Sequence, residues 1–202
     1  MSAGGRLITL EGVDGAGKST HLQFIAERVG ALGHRVVATR EPGGTELAER
    51  LRKVILEEPM APLAETLLLF AARADHVARV IRPALEAGQW VVCDRFTDAT
   101  FAYQSAGKGV AADLVERLSD AVHPGLRPWR TFVFDCSYEV ARRRLAASGK
   151  ALDRFERETQ EFYERVRRAY LDIARREPGR VRVVDAGAEL AAVRKAIEAG
   201  LA

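Results

Sequence analysis

The sequence has 202 residues, of which 48% are hydrophobic and 29% are charged, and its formal net charge is +3. This length predicts one domain, residues 1–202, with a core of its own, and this composition excludes a disordered chain. The small charge argues against a nucleic-acid partner, and the lack of any run of roughly 18 apolar residues argues against a membrane partner.

Segments typical of buried strands alternate with longer helical patterns along the whole chain. The predicted strands, which are short and rich in β-branched residues, are 6–11, 35–40, 89–93, 131–135 and 181–184. The predicted helices are 19–32, 44–57, 63–87, 111–121, 138–148, 157–176 and 190–201. Gly33, Gly88 and Gly149 follow three of these helices, as expected of left-handed caps. The alternation predicts an α/β fold, a doubly wound parallel sheet of about five strands with helices on both faces.

Between the first strand and the first helix, residues 12–19 (GVDGAGKS) match the pattern G-x-x-x-x-G-K-[ST] at every fixed position. Glycines let successive backbone N–H groups surround an anion, and the N-terminus of the helix adds its positive end. Lys18 would reach the β- and γ-phosphates of a nucleoside triphosphate, and the Ser19 hydroxyl would bind Mg²⁺. The predicted ATP phosphate-binding residues are Gly12, Gly15, Ala16, Gly17, Lys18, Ser19 and Thr20.

The third predicted strand ends directly before Asp94 and Arg95. The carboxyl ends of parallel strands meet at one edge of a sheet, so Asp94 should lie near the phosphate-binding loop. Carboxylate oxygens suit Mg²⁺ and its water shell. We therefore predict Ser19 and Asp94 as the metal-binding residues; the alternative for Asp94 is an acid that caps its own turn.

A phosphate-binding loop occurs in switches, motors, transporters and small-molecule kinases, so it does not define a reaction. Guanine-binding switches usually recognise their base with N-K-x-D, and this sequence contains no asparagine. The many arginines favour a kinase that joins two phosphorylated substrates, because they would offset the charge of both. Three alternatives stay open: a kinase for another small molecule, a non-enzymatic nucleotide-binding regulatory module, and a nucleic-acid-binding ATPase.

Five motifs together resemble those of the bacterial thymidylate kinases. They are 11–20 (EGVDGAGKST), 39–45 (TREPGGT), Asp94-Arg95, 102–104 (AYQ) and 152–156 (LDRFE), in the order of that family and with similar spacing. The resemblance covers essentially the whole chain. It implies transfer of the γ-phosphoryl group of ATP to dTMP with Mg²⁺ as cofactor, and it implies a homodimer built by helix packing.

The resemblance also implies which residues contact the phosphate and the sugar of dTMP. Asp14 would contact the sugar 3′-hydroxyl, and Arg40 and Arg95 would bind the phosphate. Arg52 is a further contributor, with a surface side chain as the alternative.

For the base, the resemblance implies that Arg73 reads the thymine edge and that an aromatic side chain of the same helix stacks on the ring. Phe70 is the predicted stacking residue, although the family usually has its aromatic residue at the position of Leu69. A core aromatic is the alternative for Phe70. The remaining predicted dTMP-binding residues are Thr100 and Gln104, for hydrogen bonds to the base, and Tyr103, which would exclude a ribose hydroxyl.

A lid is expected near residues 142–156. Gly15 stands where related enzymes of the eukaryotic type have an arginine, which implies the bacterial type, whose catalytic arginines come from a mobile lid. Ser148 replaces one family arginine there, and Lys150 would supply the charge without a guanidinium fork. The alternative for the basic run is a solvated helix face. The predicted catalytic residues are Lys18, Arg95, Asp14, Arg144, Lys150 and Arg154.

Cys93 and Cys136 fall within apolar, strand-like runs, which predicts reduced core residues rather than a disulfide. The segment 1–5 is short and polar, unlike a secretory signal. The expected location is the cytoplasm.

Overall fold

The computed structural model describes residues 4–149, 151 and 153–201. Its strands are β1 (Leu7–Glu11), β2 (Val36–Arg40), β3 (Trp90–Asp94), β4 (Arg130–Asp135) and β5 (Val181–Asp185). They form one parallel sheet in the order β2-β3-β1-β4-β5. This arrangement confirms the predicted α/β fold with five parallel strands, and each strand end lies within one residue of its predicted position.

The sheet brings polar side chains together at the carboxyl ends of its strands. Leu10 of β1 lies opposite Asp94 of β3, and Arg40 of β2 lies opposite the same residue. The central strand β1 is buried along its whole length, as expected in a parallel sheet covered on both faces. The loop that follows β1 therefore starts beside Asp94 and Arg95.

Nine α-helical segments surround the sheet in the described part of the chain. They are α1 (Lys18–Ala31), α2 (Glu46–Glu57), α3 (Pro62–His76), α4 (Arg82–Glu86), α5 (Thr97–Thr100), α6 (Ala112–Val122), α7 (Tyr138–Ala147), α8 (Gln160–Arg176) and α9 (Leu190–Leu201). The glycines after α1, α4 and α7 confirm the predicted left-handed caps: Gly33 (φ 89°), Gly88 (φ 71°) and Gly149 (φ 65°). Over residues 4–149, 151 and 153–201, no helix has the length and apolar character needed to cross a membrane.

Two helical regions differ from the predicted pattern. The helix predicted over 63–87 is interrupted by a π-helical turn, Val77–Ile81, because Pro83 cannot donate the helical hydrogen bond and its ring crowds the preceding turn. Residues 97–107, for which the sequence predicts no helix, form α5 and a π-helix, Phe101–Gly107. This π-helix carries Tyr103 and Gln104, and such wide turns are frequent at functional sites.

Alternate residues of β1 contribute to buried clusters on opposite faces of the sheet. Ile8 and Leu10 belong to the larger cluster, whereas Leu7 belongs to a smaller one. Cys93 and Cys136 are free, buried thiols, which confirms the prediction that both are core residues.

Candidate active site

Three glycines at positive φ shape the loop between β1 and α1. Gly12, Gly15 and Gly17 have φ angles of 130°, 81° and 90°, a region that residues with a Cβ rarely adopt. A Cβ at Gly12 would lie 2.4 Å from the Phe134 carbonyl oxygen, and one at Gly15 would lie 2.5 Å from the Ala141 carbonyl oxygen. Both the backbone conformation and the close contacts therefore require glycine at these two positions.

We expect Gly15→Ala to weaken folding and nucleotide binding together. The new Cβ must displace α7 or the loop, which costs about 1–3 kcal/mol of unfolding free energy beyond the strain of the φ angle. Gly33→Ala is the control, because Gly33 has a similar φ of 89° but open space around its Cβ position. Urea unfolding compares the two variants, and equal losses would contradict a steric requirement for glycine in the loop.

Lys18 begins α1 and turns its ammonium group back over the loop. Its Nζ donates to the carbonyl oxygens of Gly12 and Val13 at 3.0 and 2.9 Å. Burial, together with the charge of Arg95, lowers the pKa of Lys18, while Asp14 opposes the shift. A phosphate in the loop would supply a full negative charge where the lysine now meets carbonyl oxygens.

Asp94 and Ser19 provide oxygen atoms suited to a magnesium ion. Asp94 ends β3 and is half-buried; its Oδ1 atom is buried without a hydrogen-bond partner among the described residues. Ser19, in the first turn of α1, is exposed, as is Thr20, whereas Ala16 is buried. The described residues contain no cluster of three or more His, Cys, Asp or Glu side chains that could hold a metal. Mg²⁺ at a nucleotide site needs only one or two protein oxygens besides phosphates and water, so these residues fit it.

A cavity opens beside the phosphate-binding loop, and we call it the acceptor cavity. Its apolar wall includes Ile55, Leu69, Phe96 and Phe155. An apolar wall with a few convergent polar groups is typical of small-molecule sites. Most of the predicted dTMP-binding residues line it: Asp14, Arg52, Arg73, Arg95, Thr100, Tyr103 and Gln104.

Arg95 connects the phosphate-binding loop to the acceptor cavity. Its Nη1 donates to the Gly12 carbonyl oxygen at 3.1 Å, and its Nη2 lies 2.5 Å from Asp14 Oδ1. The Tyr103 hydroxyl accepts from Arg95 at 3.1 Å and donates to Asp14 at 3.0 Å. Burial acts to raise the pKa of Asp14, but Arg95 and Lys18 outweigh it and hold that pKa below its usual value. The carboxylate therefore stays ionised at the junction of the two sites.

Arg73 of α3 lies on another side of the cavity and is only 3% exposed. Its Nε donates to Glu41 at 2.6 Å, and both of its Nη atoms donate to the Thr100 hydroxyl at 3.2 Å. Its Nη2 also donates to the Phe96 carbonyl oxygen. Burial acts to raise the pKa of Glu41, yet Arg73 and His76 lower it overall. This network fixes the plane of the guanidinium group within the site.

Phe70, the predicted stacking residue, is not among the residues that line the acceptor cavity. Phe70 is 2% exposed and lies beneath the guanidinium group of Arg73, 4.8 Å from ring centroid to Cζ. Leu69 takes the position on the cavity wall instead. Phe70 and Leu69 lie three and four positions before Arg73, so they share one broad helix face. Of the two, only Leu69 lines the cavity.

Arg40 and Arg52 take different positions. Arg52 lines the cavity and donates to the Pro42 carbonyl oxygen at 3.0 Å. Arg40, expected to face the same crevice, has a side chain that is 54% exposed and paired with Glu49 at 2.9 Å. Burial and the charge of Arg40 lower the pKa of Arg52. A single anion near both guanidinium groups would relieve this repulsion.

The residues predicted for the lid lie at separate places. Arg144 of α7 donates to the Ala16 carbonyl oxygen of the phosphate-binding loop at 3.4 Å. Arg154 forms an ion pair of 2.5 Å with Glu65 of α3, on the side of the acceptor cavity. Lys150 lies outside the described residues.

Three buried acids lie around the site, and the sequence does not predict any of them as a site residue. Glu11, Glu41 and Glu65 are at most 4% exposed. Acids are rarely buried unless they are paired, and the partners here come from distant parts of the chain. The only available signal is that Glu11 and Glu41 fall within the motifs 11–20 and 39–45.

Glu11 should make stability fall as the pH rises. Its oxygens accept from Phe96 N at 2.7 Å and Tyr170 Oη at 2.9 Å. Burial raises the pKa of Glu11 from 4.5 to about 8; Asp98 adds to the shift and Arg95 opposes it. The folded state therefore binds the extra proton between these two values, and this contribution to stability is lost as the pH rises through that window.

The variant that tests this pH dependence is Glu11→Gln, because the amide cannot bind or release the proton. Relative to it, the unfolding free energy of the wild type should fall by up to about 1.4 kcal/mol per pH unit across the window. Urea unfolding at intervals of pH measures both proteins. Parallel profiles would contradict a raised pKa at Glu11.

Comparison with known proteins gives a consistent assignment. The thymidylate kinase family model matches residues 10–197. The thymidylate kinases of Bordetella pertussis and Ralstonia nicotianae are 54% and 52% identical over 198 and 202 residues, which cover 98% of this chain and 95% and 98% of theirs. A crystal structure of thymidylate kinase from Ehrlichia chaffeensis has a TM-score of 0.79 and 33% identity, covering 98% of this chain and 99% of that one. The chain belongs to the thymidylate kinase family.

Proposed function

We propose that the chain transfers the γ-phosphoryl group of ATP to dTMP, giving ADP and dTDP for the synthesis of dTTP. Family membership supports this activity, and one contact carries it for this chain. Arg95 binds the Gly12 carbonyl oxygen of the phosphate-binding loop and also pairs with Asp14 in the acceptor cavity. One guanidinium group thus serves both sites, which suits transfer between two anions held side by side.

The chain's residues would act mainly by position and charge. The loop N–H groups and Lys18 would hold the triphosphate, and Arg95 would offset the charge of the acceptor phosphate. Phosphoryl transfer has a loose transition state and needs little help from a strong base. Asp14, kept ionised by Arg95 and Lys18, would bind the sugar 3′-hydroxyl rather than take a proton.

The polar groups of the cavity suit a pyrimidine that carries an N3–H group. Gln104 Nε2 donates to Glu65 at 2.7 Å, which leaves the amide oxygen of Gln104 as an acceptor. Arg73 keeps one N–H group, on Nη1, as a donor for a carbonyl oxygen, since its other N–H groups donate to Glu41, Thr100 and Phe96. Leu69 would pack against the ring. Cytosine presents the opposite pattern of donor and acceptor, so dCMP should be a worse acceptor by about 10²-fold or more. Tyr103 would crowd a ribose 2′-hydroxyl.

Mg²⁺ is the proposed cofactor, held by the Ser19 hydroxyl and, through its water shell, by Asp94. The unpartnered Oδ1 of Asp94 supports this role. When bound, the ion would offset the negative charge of the triphosphate.

We also propose that residues 1–202 form a single phosphate-loop kinase domain in which segment 142–156 is the lid. Closure would exclude water and bring basic side chains to the γ-phosphoryl group. The bond from Arg144 to the loop carbonyl of Ala16 supports its role there. Lys150 and Arg154 are the other proposed lid cations.

The proposed assembly is a homodimer, and the proposed location is the cytoplasm. Exposed apolar side chains on α2 and α3 support a helix-packed dimer; they are Leu47, Val54, Leu63 and Leu67, 42–49% exposed. The buried free thiols of Cys93 and Cys136 support a reducing compartment. We propose no nucleic-acid partner, in line with the net charge of +3.

ADP release from Mg-ATP tests the proposed function. We expect strong turnover with dTMP, weaker turnover with dUMP, and turnover near the blank with dCMP, dGMP, AMP or no acceptor. Turnover with a different acceptor would favour another small-molecule kinase. Nucleotide binding without turnover for any acceptor would favour a regulatory module.

A further inference from the structure

Glu65, in the first turn of α3, is fully buried and joins three parts of the chain. Gln104 Nε2 donates to its Oε1 at 2.7 Å. Lys108 Nζ and Arg154 Nη2 lie 2.9 and 2.5 Å from its Oε2. A buried carboxylate is costly unless its oxygens are satisfied. Here both are satisfied, so the position of Glu65 dictates the positions of its three partners.

The residues on either side of Arg154 form part of the wall of the acceptor cavity. Asp153 and Phe155 both line that cavity. The Phe155 ring contacts both cations, with Lys108 Nζ and Arg154 Cζ each 4.5 Å from its centroid. It also meets the Tyr103 ring edge-on at 6.1 Å. Segment 153–156 is thus held against the cavity by Glu65 and its two basic partners, together with the bonds from Arg154 Nε to the Ile55 carbonyl oxygen and from Arg142 Nη1 to the Glu156 carbonyl oxygen.

We propose that Glu65 is a positioning residue that couples the acceptor cavity to the lid. One of its oxygens orients Gln104 towards the base, and the other holds Arg154, and with it segment 153–156, against the same cavity. This inference rests on the proposed function of the cavity. Glu65 is 0% exposed, so it acts through Gln104 and Arg154 rather than on a substrate.

The coupling has a physical consequence that a purely structural acid would not have. Removal of the charge leaves Lys108 and Arg154 to repel each other, while Lys108 keeps a second acid nearby, Glu158 at 3.9 Å. Segment 153–156 would then be held less firmly against the cavity wall, by the bonds to Ile55 and from Arg142 alone, and the Gln104 amide could rotate. The phosphate-binding loop is held by its own contacts around Lys18, so binding of ATP should be spared.

The test compares Glu65→Gln with Glu158→Gln, the same chemical change at a residue that is 34% exposed in its side chain. Glu65→Gln should raise KM for dTMP by about tenfold or more and change KM for ATP by less than about twofold. Glu158→Gln should leave both within about twofold of the wild type. Equal shifts in the two KM values, or no shift in either, would overturn the coupling.

Arg154→Gln breaks the same ion pair from a side chain that is 21% exposed, so it tests the coupling even where Glu65→Gln does not fold. It should give the same selective rise in KM for dTMP. The double variant should lose less than the product of the two single effects, because both remove one interaction. Independent, multiplicative effects would overturn the proposal.

A readout without substrate separates this inference from the proposed function. In the unliganded protein, trypsin should cut after Arg154 faster in Glu65→Gln than in the wild type and Glu158→Gln, since the ion pair no longer shields that side chain. Unchanged cleavage would overturn the coupling. A wild type that does not phosphorylate dTMP would overturn the proposed function instead.

Discussion

Replacement of Lys18 by methionine should lower kcat for phosphoryl transfer by about 10²–10³-fold while the protein stays folded. The ammonium group lies over the phosphate-binding loop, 3.0 and 2.9 Å from the carbonyl oxygens of Gly12 and Val13. It is the cation placed to offset charge that develops between the β- and γ-phosphates. Steady-state assays at saturating ATP and dTMP measure kcat, and thermal unfolding checks the fold.

Lys53→Met is the matched control, because Lys53 is exposed on α2 and the substitution removes the same charge. Its kcat should stay within about twofold of the wild type. If both lysine variants lose activity equally, or if Lys18→Met keeps full activity, the role of the loop in binding the triphosphate is wrong.

Arg73→Met should destabilise the protein and weaken acceptor binding at once. Glu41, 4% exposed, would lose its guanidinium partner at 2.6 Å. A buried carboxylate left without its partner costs about 3–5 kcal/mol of unfolding free energy. The variant also removes the donors expected to meet the base, so KM for dTMP should rise by about tenfold or more. Urea unfolding and acceptor titrations measure the two effects.

Arg79→Met is the matched control, because Arg79 lies in the π-helical turn that directly follows α3. Arg79 has a side chain that is 72% exposed and pairs with Asp75 four residues earlier. Such surface pairs contribute less than about 1 kcal/mol, so this variant should be nearly neutral in stability and in KM. A neutral Arg73→Met would contradict both the stabilising role of the buried network and the proposed role of Arg73 in reading the base.

The features predicted correctly depend on local signals. The loop between β1 and α1 is predictable because its glycines, Lys18 and Ser19 occur in a fixed order between a strand and a helix. The position of Asp94 followed from the rule that parallel strands end at one edge. The five strands are predicted correctly because buried parallel strands are short and rich in β-branched residues.

The features that were missed depend on contacts between distant residues. Whether Leu69 or Phe70 faces the cavity is decided by how α3 is rotated against the sheet, and one helix face includes both. Glu65 gives no local signal, since its partners Gln104 and Arg154 lie 39 and 89 positions later. The π-helix over 101–107 likewise has no established sequence pattern, although it carries Tyr103 and Gln104 of the acceptor cavity.

The most direct test of the central claim is to follow the label of γ-³²P-ATP in the presence of dTMP and Mg²⁺. We expect the label to appear in dTDP, with little released as inorganic phosphate, because Arg95 and Asp14 hold the two substrate sites together. Label that appears only in inorganic phosphate, or that stays in ATP, would contradict direct transfer to dTMP.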